Sequence, residues 1–279
     1  MTVLEVLQST SAYFKKRGIE SARLNAEHLL AHSLGRKRIE LYLDFDRPLD
    51  ETELAPLREL VRRRGQREPL QHLLGTVEFC GHTFLCDNRA LVPRPETEEL
   101  VELLISETGL RKPEKVVDVG TGSGVIALCL AAAFPEAEVH AVDVSEEALA
   151  LARENAAKLS LGGRVRFSRS DLLPSVNHAY DLVVANLPYI ADAERAELSR
   201  EVLHDPAGAL FGGERGDELI RRLIATAPPH LAPGGLLALE IGVGQHEALA
   251  AFLAEQNYHD ISQRHDSAGV TRFLFARYG

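Results

Sequence analysis

The sequence is poor in cysteine, in aromatic residues and in long apolar runs, and it carries no excess of positive charge. Its three cysteines, Cys80, Cys86 and Cys129, form no CxxC pair and join no histidine cluster, so we expect reduced thiols and no metal site. A net charge of -10 argues against a sequence-independent grip on nucleic acid, which needs lysine and arginine at the phosphates. An aromatic content of 6% is also sparse for a surface that stacks bases.

No segment contains the roughly 18 uninterrupted apolar residues that a membrane-spanning helix requires. The start of the chain, MTVLEVLQSTSAYFKKRG, lacks the charged region, apolar stretch and small-residue cleavage site of a signal peptide. We therefore expect a cytoplasmic protein that does not associate with a membrane. A length of 279 residues, with 45% of them apolar, is sufficient for one large domain or for a large domain and a small one.

The first third of the chain differs in pattern from the rest. Residues 1–74 show helical periodicity and few strand signals, which predicts a small domain of four or five short helices. Asp50 is a suitable N-cap for one of these helices. Residues 75–92 alternate apolar and polar side chains around a central Cys-Gly-His, which predicts a β-hairpin that links two domains.

Strand and helix patterns alternate from residue 93 to the end, at 279. This alternation is typical of a parallel, doubly wound α/β sheet. The last two predicted strands are separated only by a short turn, so they must be antiparallel to each other. The predicted strands are KVVDVG (115–120), EVHAVDV (138–144), RVRFSRS (164–170), YDLVVAN (180–186), GGLLALEIG (234–242), and a final pair near YHDISQRHD and TRFLFARYG.

The stretch VVDVGTGSGVIALCLA (116–131) reads as a strand, a glycine-rich turn and a helix. Gly120, Gly122 and Gly124 lack a Cβ, so the turn can bend tightly and let a ligand approach the backbone, and the first amides of the helix favour electron-rich groups. A dinucleotide fingerprint would place its third glycine where Val125 stands. The spacing therefore favours S-adenosylmethionine over NAD.

Two carboxylates follow at the ends of the next predicted strands. Asp143 lies about twenty residues beyond the glycine turn, where a carboxylate accepts both ribose hydroxyls. Asp171 is placed to accept the adenine amino group, with Leu172 beside the ring. Such carboxylates can instead cap helices, but Ser145 is the better N-cap for the helix after Asp143, which favours the ribose interpretation.

A polar tetrad follows the buried strand YDLVV, in the stretch ANLPYI (185–190). The Asn186 side-chain oxygen and the Leu187 backbone carbonyl can accept both N–H groups of a planar NH2, so that the nitrogen lone pair faces a methyl donor. Pro188 stiffens the turn, and Tyr189 can lie against the flat face of the substrate group. A plain turn is the alternative, which the neighbouring cofactor loop disfavours. We expect positioning to dominate catalysis, without a general base, because a methylated amide cation loses its proton readily to water.

With these residues assembled, the chain resembles the peptide chain release factor glutamine methyltransferases over nearly its whole length. The segment PRPET is the most discriminating part of the resemblance. The matching stretches are EPLQHLLG (68–75), LVPRPETEELVE (91–102), DVGTGSGVIALCLA, AVDVSEEALALARENA, DLVVANLPYIA, EVLHDPAGALFGGERGDELIRRL (201–223) and LALEIGVGQ (237–245).

The resemblance implies the α/β fold of a class I S-adenosylmethionine-dependent methyltransferase, a Rossmann-like seven-stranded sheet with an antiparallel last strand. It implies a small N-terminal all-helical domain for substrate recognition (1–74), a β-hairpin linker (75–92) and a catalytic domain (93–279). The implied reaction moves a methyl group from S-adenosylmethionine to the glutamine amide nitrogen of the Gly-Gly-Gln motif in class 1 release factors, and leaves S-adenosylhomocysteine. Release factors are then the expected partner, with no nucleic-acid substrate, and a monomer is the default.

The resemblance also assigns the site residues. The expected acceptor site, catalytic and substrate-binding, is the tetrad Asn186, Leu187, Pro188 and Tyr189, enclosed by Pro93, Arg94, Pro95 and Glu96. The expected cofactor residues are Gly120, Thr121, Gly122, Ser123, Gly124, Asp143, Val144, Asp171, Leu172 and Asn186.

One position departs from the family pattern, which usually has proline where this chain has Leu187. Asn-Leu-Pro-Tyr also occurs in ribosomal RNA adenine dimethyltransferases, so the tetrad alone does not separate glutamine from adenine. Because the contact involves a backbone carbonyl, leucine can supply it. A nucleic-acid adenine methyltransferase stays open as an alternative, disfavoured by the acidic charge. A non-catalytic cofactor-binding protein also stays open, as does an NAD oxidoreductase, which the glycine spacing disfavours.

Overall fold

Residues 1–108, 112–174 and 179–279 are described by a computed structural model. The chain divides into two compact units. The first contains Met1–Thr76 and the short segment Ser199–His204, and the second contains Val77–Leu198 and Asp205–Gly279. Within the described ranges, no helix combines the length and apolar character needed to cross a membrane.

The first unit is helical, which confirms the predicted all-helical N-terminal region. Helix α4 begins after Asp50, whose side chain accepts hydrogen bonds from the backbone N–H groups of Thr52 and Glu53, as expected of an N-cap. Apolar side chains of several helices form one core around the fully buried Phe14. The helices are α1 (Val3–Lys16), α2 (Ala22–Ser33), α3 (Arg38–Leu41), α4 (Glu51–Gly65) and α5 (Leu70–Leu74).

A buried arginine ties the short segment to this helical unit. Arg64 on α4 is only 4% exposed. Its Nε donates to Asn25 Oδ1 at 2.7 Å, and its Nη2 donates to Glu201 Oε2 at 2.9 Å. Burying a guanidinium without such partners costs free energy. The ion pair between Arg64 and Glu201 therefore connects the segment Ser199–His204 to the helices of the first unit.

The second unit contains a β-hairpin followed by alternating strands and helices. The hairpin is β1 (Thr76–Phe79) and β2 (His82–Leu85). The elements that follow are α6 (Pro95–Thr108), β3 (Lys115–Val119), α7 (Val125–Ala133), β4 (Glu138–Asp143), α8 (Glu146–Lys158), β5 (Val165–Arg169), β6 (Tyr180–Asn186), β7 (Ile190–Ala191), β8 (Phe211–Gly213), α9 (Glu218–Thr226), β9 (Leu231–Glu240), α10 (His246–Glu255), β10 (His259–His265) and β11 (Thr271–Tyr278).

The main sheet has seven strands in the order β10-β11-β9-β6-β3-β4-β5. Strands β9, β6, β3, β4 and β5 are parallel, whereas β11 is antiparallel to both β9 and β10. The predicted α/β fold class, with its antiparallel final pair, is therefore confirmed. The sequence did not predict the small parallel pair β7–β8, whose first strand immediately follows the polar tetrad.

Strand β9 begins at Leu231, three residues before its predicted start at residue 234. Its pairing with β6 shifts register, because Tyr180 lies opposite Leu231 whereas Leu182 lies opposite Leu236. This bulge accommodates Pro233 and Gly234. Proline and glycine here bend the strand instead of ending it.

Apolar cores cover both faces of the sheet, as expected of parallel strands. One face contributes Val116 and Leu182 to a core that also contains Phe79 and Phe84 of the hairpin. The opposite face contributes Val117 and other side chains to a second core. With both faces filled, the carboxyl edge of the sheet is the place where the fold leaves room for a ligand.

Candidate active site

A cavity of about 380 Å³ lies where β3, β4 and β6 end. This volume is within the range of roughly 300 to 1,000 Å³ that small-molecule sites occupy. Thirteen of the predicted site residues line it: Pro93, Arg94, Gly120, Thr121, Gly122, Ser123, Asp143, Val144, Asp171, Leu172, Asn186, Leu187 and Pro188. Four others lie outside the lining, namely Pro95, Glu96, Gly124 and Tyr189.

The glycine-rich loop is fixed to the neighbouring strand by its own backbone. The N–H of Gly120 donates to the Val142 carbonyl at 2.9 Å, and the N–H of Gly122 donates to Asp143 Oδ2 at 2.9 Å. Gly120 has φ +74°, and a Cβ added there would lie 2.9 Å from Leu187 Cδ2. Glycine is therefore required at this position for conformation and for space, because the tetrad packs directly against the loop.

Asp143 keeps the capacity to accept further hydrogen bonds. Its Oδ1 accepts from the Ser145 N–H at 2.8 Å, and its Oδ2 accepts from Gly122. Ser145 caps helix α8, because its Oγ accepts from the Ala148 N–H at 3.2 Å, as the sequence predicts. Since an ionised carboxylate offers about four acceptor positions, Asp143 can still accept from hydroxyl groups in the cavity.

The next predicted cofactor residues lie at the more open end of the cavity. Asp171 has a side chain that is 65% exposed and pairs with Arg222 Nη2 at 2.9 Å. An exposed pair of this kind is weak, so the carboxylate can exchange it for a ligand group. Leu172 follows in the left-handed region with φ +64°, and Val144 is 59% exposed.

A fully buried carboxylate, Asp118, anchors the glycine-rich loop from below. Its Oδ2 accepts from Thr121 Oγ1 at 2.6 Å and from the Ala127 N–H at 3.1 Å, so it joins β3, the loop and α7. Burial raises the pKa of this carboxyl to about 7. Asp118 was not predicted as a functional residue, although an acidic side chain inside the apolar run VVDVG is a visible signal.

Asp118 should make the stability of the protein depend on pH. Its folded-state pKa is raised from 3.8 to about 7, so its contribution to stability is complete at low pH and is lost as pH rises toward 7. We expect the slope of Tm against pH, measured between about pH 5 and pH 8, to be shallower in Asp118→Asn than in the parent protein. Identical slopes in the two proteins would contradict this assignment.

The amide of Asn186 is held by a chain of two buried side chains. Asn186 Nδ2 donates to Thr97 Oγ1 at 2.9 Å, and Thr97 Oγ1 donates to Glu240 Oε2 at 2.8 Å. Thr97 lies on α6 and is 3% exposed, whereas Glu240 ends β9 and is 1% exposed. Because Nδ2 is engaged by Thr97, Oδ1 is the amide atom that is left to accept a hydrogen bond from a group in the cavity.

Tyr189, the last residue of the tetrad, is held by two residues that were not among the predicted site residues. The Arg272 guanidinium lies 5.4 Å from the centroid of its ring, within the range of a cation–π contact. Gln245 Nε2 donates to the Tyr189 carbonyl at 3.0 Å. Burial raises the pKa of the Tyr189 phenol, so this side chain stays neutral.

Two glycines, Gly212 and Gly216, pack closely against the backbone of the tetrad. A Cβ at Gly212 would lie 2.4 Å from the Pro188 carbonyl oxygen, and one at Gly216 would lie 2.5 Å from the Tyr189 carbonyl oxygen. The segment that carries them, FGGERG, is part of the stretch that resembles the family. Its function in the fold, shaping the tetrad, was not evident from spacing.

The PRPET segment is connected to the segment after residue 204. Arg94 Nη2 pairs with Asp205 Oδ2 at 2.7 Å, and the Val92 N–H donates to Asp205 Oδ1 at 3.3 Å. Pro206 and Gly208, just beyond, line the cavity together with Pro93. This buried carboxylate therefore holds two walls of the cavity together.

Solved structures share this fold. A ribosomal protein L11 methylase from Lactobacillus delbrueckii superposes with a TM-score of 0.51 at 23% identity, covering 68% of this chain and 81% of that one. A Thermus thermophilus 16S rRNA methyltransferase in complex with AdoMet and guanosine superposes with a TM-score of 0.53 at 20% identity. The superposition covers 73% of this chain and 50% of that one. The sheet order and the glycine-rich loop at its carboxyl edge define a class I S-adenosylmethionine-dependent methyltransferase.

Sequence comparison narrows the class to one family. Residues 5–75 match the model described as PrmC N-terminal domain, and residues 96–214 match Methyltransferase small domain. Two release factor glutamine methyltransferases, from Geobacter sulfurreducens and Deinococcus radiodurans, are 41% and 42% identical to this chain. The alignments cover 100% and 99% of this chain, and 97% and 99% of those proteins. The chain belongs to the release factor glutamine methyltransferase family.

Proposed function

We propose that this enzyme transfers a methyl group from S-adenosylmethionine to the side-chain amide nitrogen of the glutamine in the Gly-Gly-Gln motif of class 1 peptide chain release factors. It would thereby modulate translation termination in the cytoplasm. The observation that supports this most strongly is the Asn186 amide, whose nitrogen is engaged by Thr97 so that its oxygen can receive an NH2 group beside the glycine-rich loop.

The residues around the loop fit the cofactor. The turn from Gly120 to Gly124, including Thr121 and Ser123, presents backbone at the cavity, and Asp143 has acceptor positions for ribose hydroxyls. Val144, Asp171 and Leu172 would enclose the adenine. When bound, S-adenosylmethionine supplies an electrophilic methyl group on a sulfonium.

The tetrad would present the substrate nitrogen to that methyl group. Asn186 Oδ1 and the Leu187 carbonyl accept the two N–H groups, which turns the nitrogen lone pair toward the methyl carbon. Asn186 would also adjoin the cofactor, Pro188 stiffens the turn, and Tyr189 supports it. Together these residues would hold the amide nitrogen in line with the methyl group, and the amide would release its proton to water after the transfer.

Orientation is the main contribution that these residues make. A single hydrogen bond contributes about 0.5 to 1.5 kcal/mol net, whereas alignment of two reacting groups in a near-attack geometry can contribute roughly 7 to 11 kcal/mol. The tetrad satisfies this requirement because β8, Arg272 and Thr97 restrain its backbone and side chains. The residues of the PRPET segment, Pro93 to Glu96, would close the site around the glutamine.

The domains would divide the work of recognition and catalysis. We propose that the helical domain (1–74) recognises the release factor, that the hairpin (75–92) links it to the rest, and that residues 93–279 catalyse the transfer. The enzyme would act as a monomer on protein and not on nucleic acid, in keeping with its net charge of -10.

Methylation of purified substrates tests this proposal. The enzyme, labelled S-adenosylmethionine and a class 1 release factor should give a release factor heavier by one methylene, with the gain on the Gly-Gly-Gln glutamine. A release factor with alanine in place of that glutamine should remain unlabelled. Ribosomal RNA serves as the competing substrate, and labelled adenine with unlabelled release factor would overturn the proposal in favour of an adenine methyltransferase.

Removal of the Asp143 carboxylate should weaken cofactor binding. Hydrogen bonds to a charged group contribute about 1.5 to 3 kcal/mol, so Asp143→Ala should raise the Kd for S-adenosylhomocysteine by about 10-fold to 100-fold. Isothermal titration calorimetry measures this change. Glu147→Ala, which removes an exposed carboxylate from the same region, is the control and should bind as the parent protein does. Equal affinities for all three proteins would show that Asp143 does not hold the ribose.

A further inference from the structure

The mechanism described so far uses Thr97 to engage the Asn186 amide but gives no role to Glu240, the buried partner of Thr97. Glu240 is 1% exposed, and the partner of its Oε2 is the Thr97 hydroxyl. Its other oxygen, Oε1, is buried without a hydrogen-bond partner within the part of the chain that the structure describes. A buried acid with one unsatisfied oxygen is costly, so its retention beside the site calls for a functional explanation.

The direction of the hydrogen bonds follows from the chemistry of the two groups. An ionised carboxylate can only accept, and a hydroxyl has only one proton to donate. The Thr97 proton must therefore point to Glu240, which leaves Thr97 Oγ1 as an acceptor toward Asn186. Asn186 satisfies that acceptor only with its NH2 group, as observed.

We propose that Thr97 and Glu240 are positioning residues that fix Asn186 with its oxygen toward the acceptor site, and that they thereby select an NH2-bearing side chain over a carboxylate. This inference rests on the proposed function. Without the pair, the Asn186 amide could turn over and offer its NH2 group to the cavity.

The consequence for specificity is a choice between glutamine and glutamate. With Asn186 Oδ1 and the Leu187 carbonyl both accepting, a glutamine amide donates to two partners, whereas a glutamate carboxylate meets two oxygens and no donor. Sites that hydrogen-bond a particular substrate group reject analogues lacking it strongly, because buried polar groups are then left unpaired. A reversed Asn186 would donate to the carboxylate and weaken this rejection.

The ionisation of Glu240 adds a second, independent consequence. Arg272 and Arg94 favour its charged form, while burial and Glu96 oppose it, and Tyr189 lies nearby as a neutral phenol. Burial, the largest of these effects, raises the pKa of Glu240 to about 7. Once protonated, Glu240 can donate to Thr97, and the Thr97 proton is then free to turn toward Asn186 Oδ1.

Activity and stability should therefore respond to pH in opposite directions. Turnover should fall as pH drops through about 7, because the protonated pair no longer fixes Asn186. The folded-state pKa lies above the ordinary value of 4.5, so the contribution of Glu240 to stability is lost as pH rises from about 4.5 to about 7.

A matched pair of variants tests the proposal by binding and by turnover. Thr97→Val removes the hydroxyl and keeps the shape, whereas Thr97→Ser restores the hydroxyl. Each protein, saturated with S-adenosylhomocysteine, is titrated with two release factors that carry Gly-Gly-Gln or Gly-Gly-Glu. We expect Thr97→Val to reduce the ratio of the two affinities by at least about 10-fold and kcat by about 10-fold to 100-fold. Cofactor affinity should be preserved, whereas Tm should fall because Glu240 loses its hydroxyl partner. Thr97→Ser should retain the ratio of the parent protein.

Glu240→Gln provides the second measurement. Its carboxamide can still accept from Thr97 but does not titrate, so the rise of kcat from about pH 6 to about pH 8 should disappear. An unchanged affinity ratio in Thr97→Val, or an unchanged pH profile in Glu240→Gln, would overturn the inference. Failure of the parent enzyme to methylate any release factor would instead overturn the proposed function, so the two failures are distinguishable.

Discussion

Replacement of Asn186 by alanine is expected to lower kcat by about 100-fold or more, the scale of effect seen when one oriented polar group is removed from a reacting centre. In the proposed mechanism the variant loses the oxygen that would receive one of the two substrate N–H groups, and Thr97 loses the Asn186 donor. The KM for the release factor should change much less, because most of the contact with a protein substrate lies elsewhere. Initial rates with labelled S-adenosylmethionine measure both quantities.

Gln263→Ala is the matched control for this substitution. It also removes a carboxamide, but from an exposed position on the edge strand β10. Its kinetic constants should equal those of the parent enzyme. Turnover of Asn186→Ala within about 3-fold of the parent would support a non-catalytic cofactor-binding protein, since positioning at a reacting centre is expected to matter far more than this.

A single methyl group at Gly212 should be nearly as damaging. An alanine Cβ would lie 2.1 Å from the Gly216 carbonyl oxygen and 2.4 Å from that of Pro188, and neither backbone atom can move without displacing the tetrad. A misplacement of about 1 Å at a reacting centre can cost about 100-fold in rate. We therefore expect a loss of kcat of that order in Gly212→Ala, together with a lower Tm.

Gly162→Ala separates this effect from a general intolerance of alanine. Among the described residues, apart from its two chain neighbours, no atom lies within 4 Å of a Cβ added at Gly162, so both rate and Tm should be preserved. Cofactor affinity should fall less than kcat in Gly212→Ala, because Val142 and Asp143 hold the N–H groups of the glycine-rich loop. Full activity of Gly212→Ala would show that the tetrad does not depend on its contact with β8.

The sequence predicts those features whose physical cause is local. Strands of a doubly wound sheet are apolar on both faces and stand out as short runs, and the Asp50 cap lies within three residues of the N–H groups that it binds. The glycine-rich loop and the tetrad are likewise continuous in the chain. Each could be placed because its neighbours in sequence are also its neighbours in space.

The remaining features depend on contacts between distant parts of the chain. Thr97 and Glu240 are 143 residues apart, and no pattern around either residue indicates the other. The restrictions on Gly212 and Gly216 come from carbonyls of the tetrad, and the stacking on Tyr189 comes from Arg272 on the last strand. The spacing of residues along the sequence does not indicate such pairs, which become visible only when the strands are placed side by side.

The contact between Leu187 and Gly120 explains why the second position of the tetrad can differ from the family pattern. In the proposed mechanism this position offers the substrate a main-chain carbonyl, which leucine and proline both possess. Its side chain is 5% exposed and fills the space above a residue that has no side chain of its own. The requirement at position 187 is therefore for a side chain of suitable volume and not for a functional group. Medium-sized aliphatic residues should substitute for one another there. An aromatic ring would push the two loops apart.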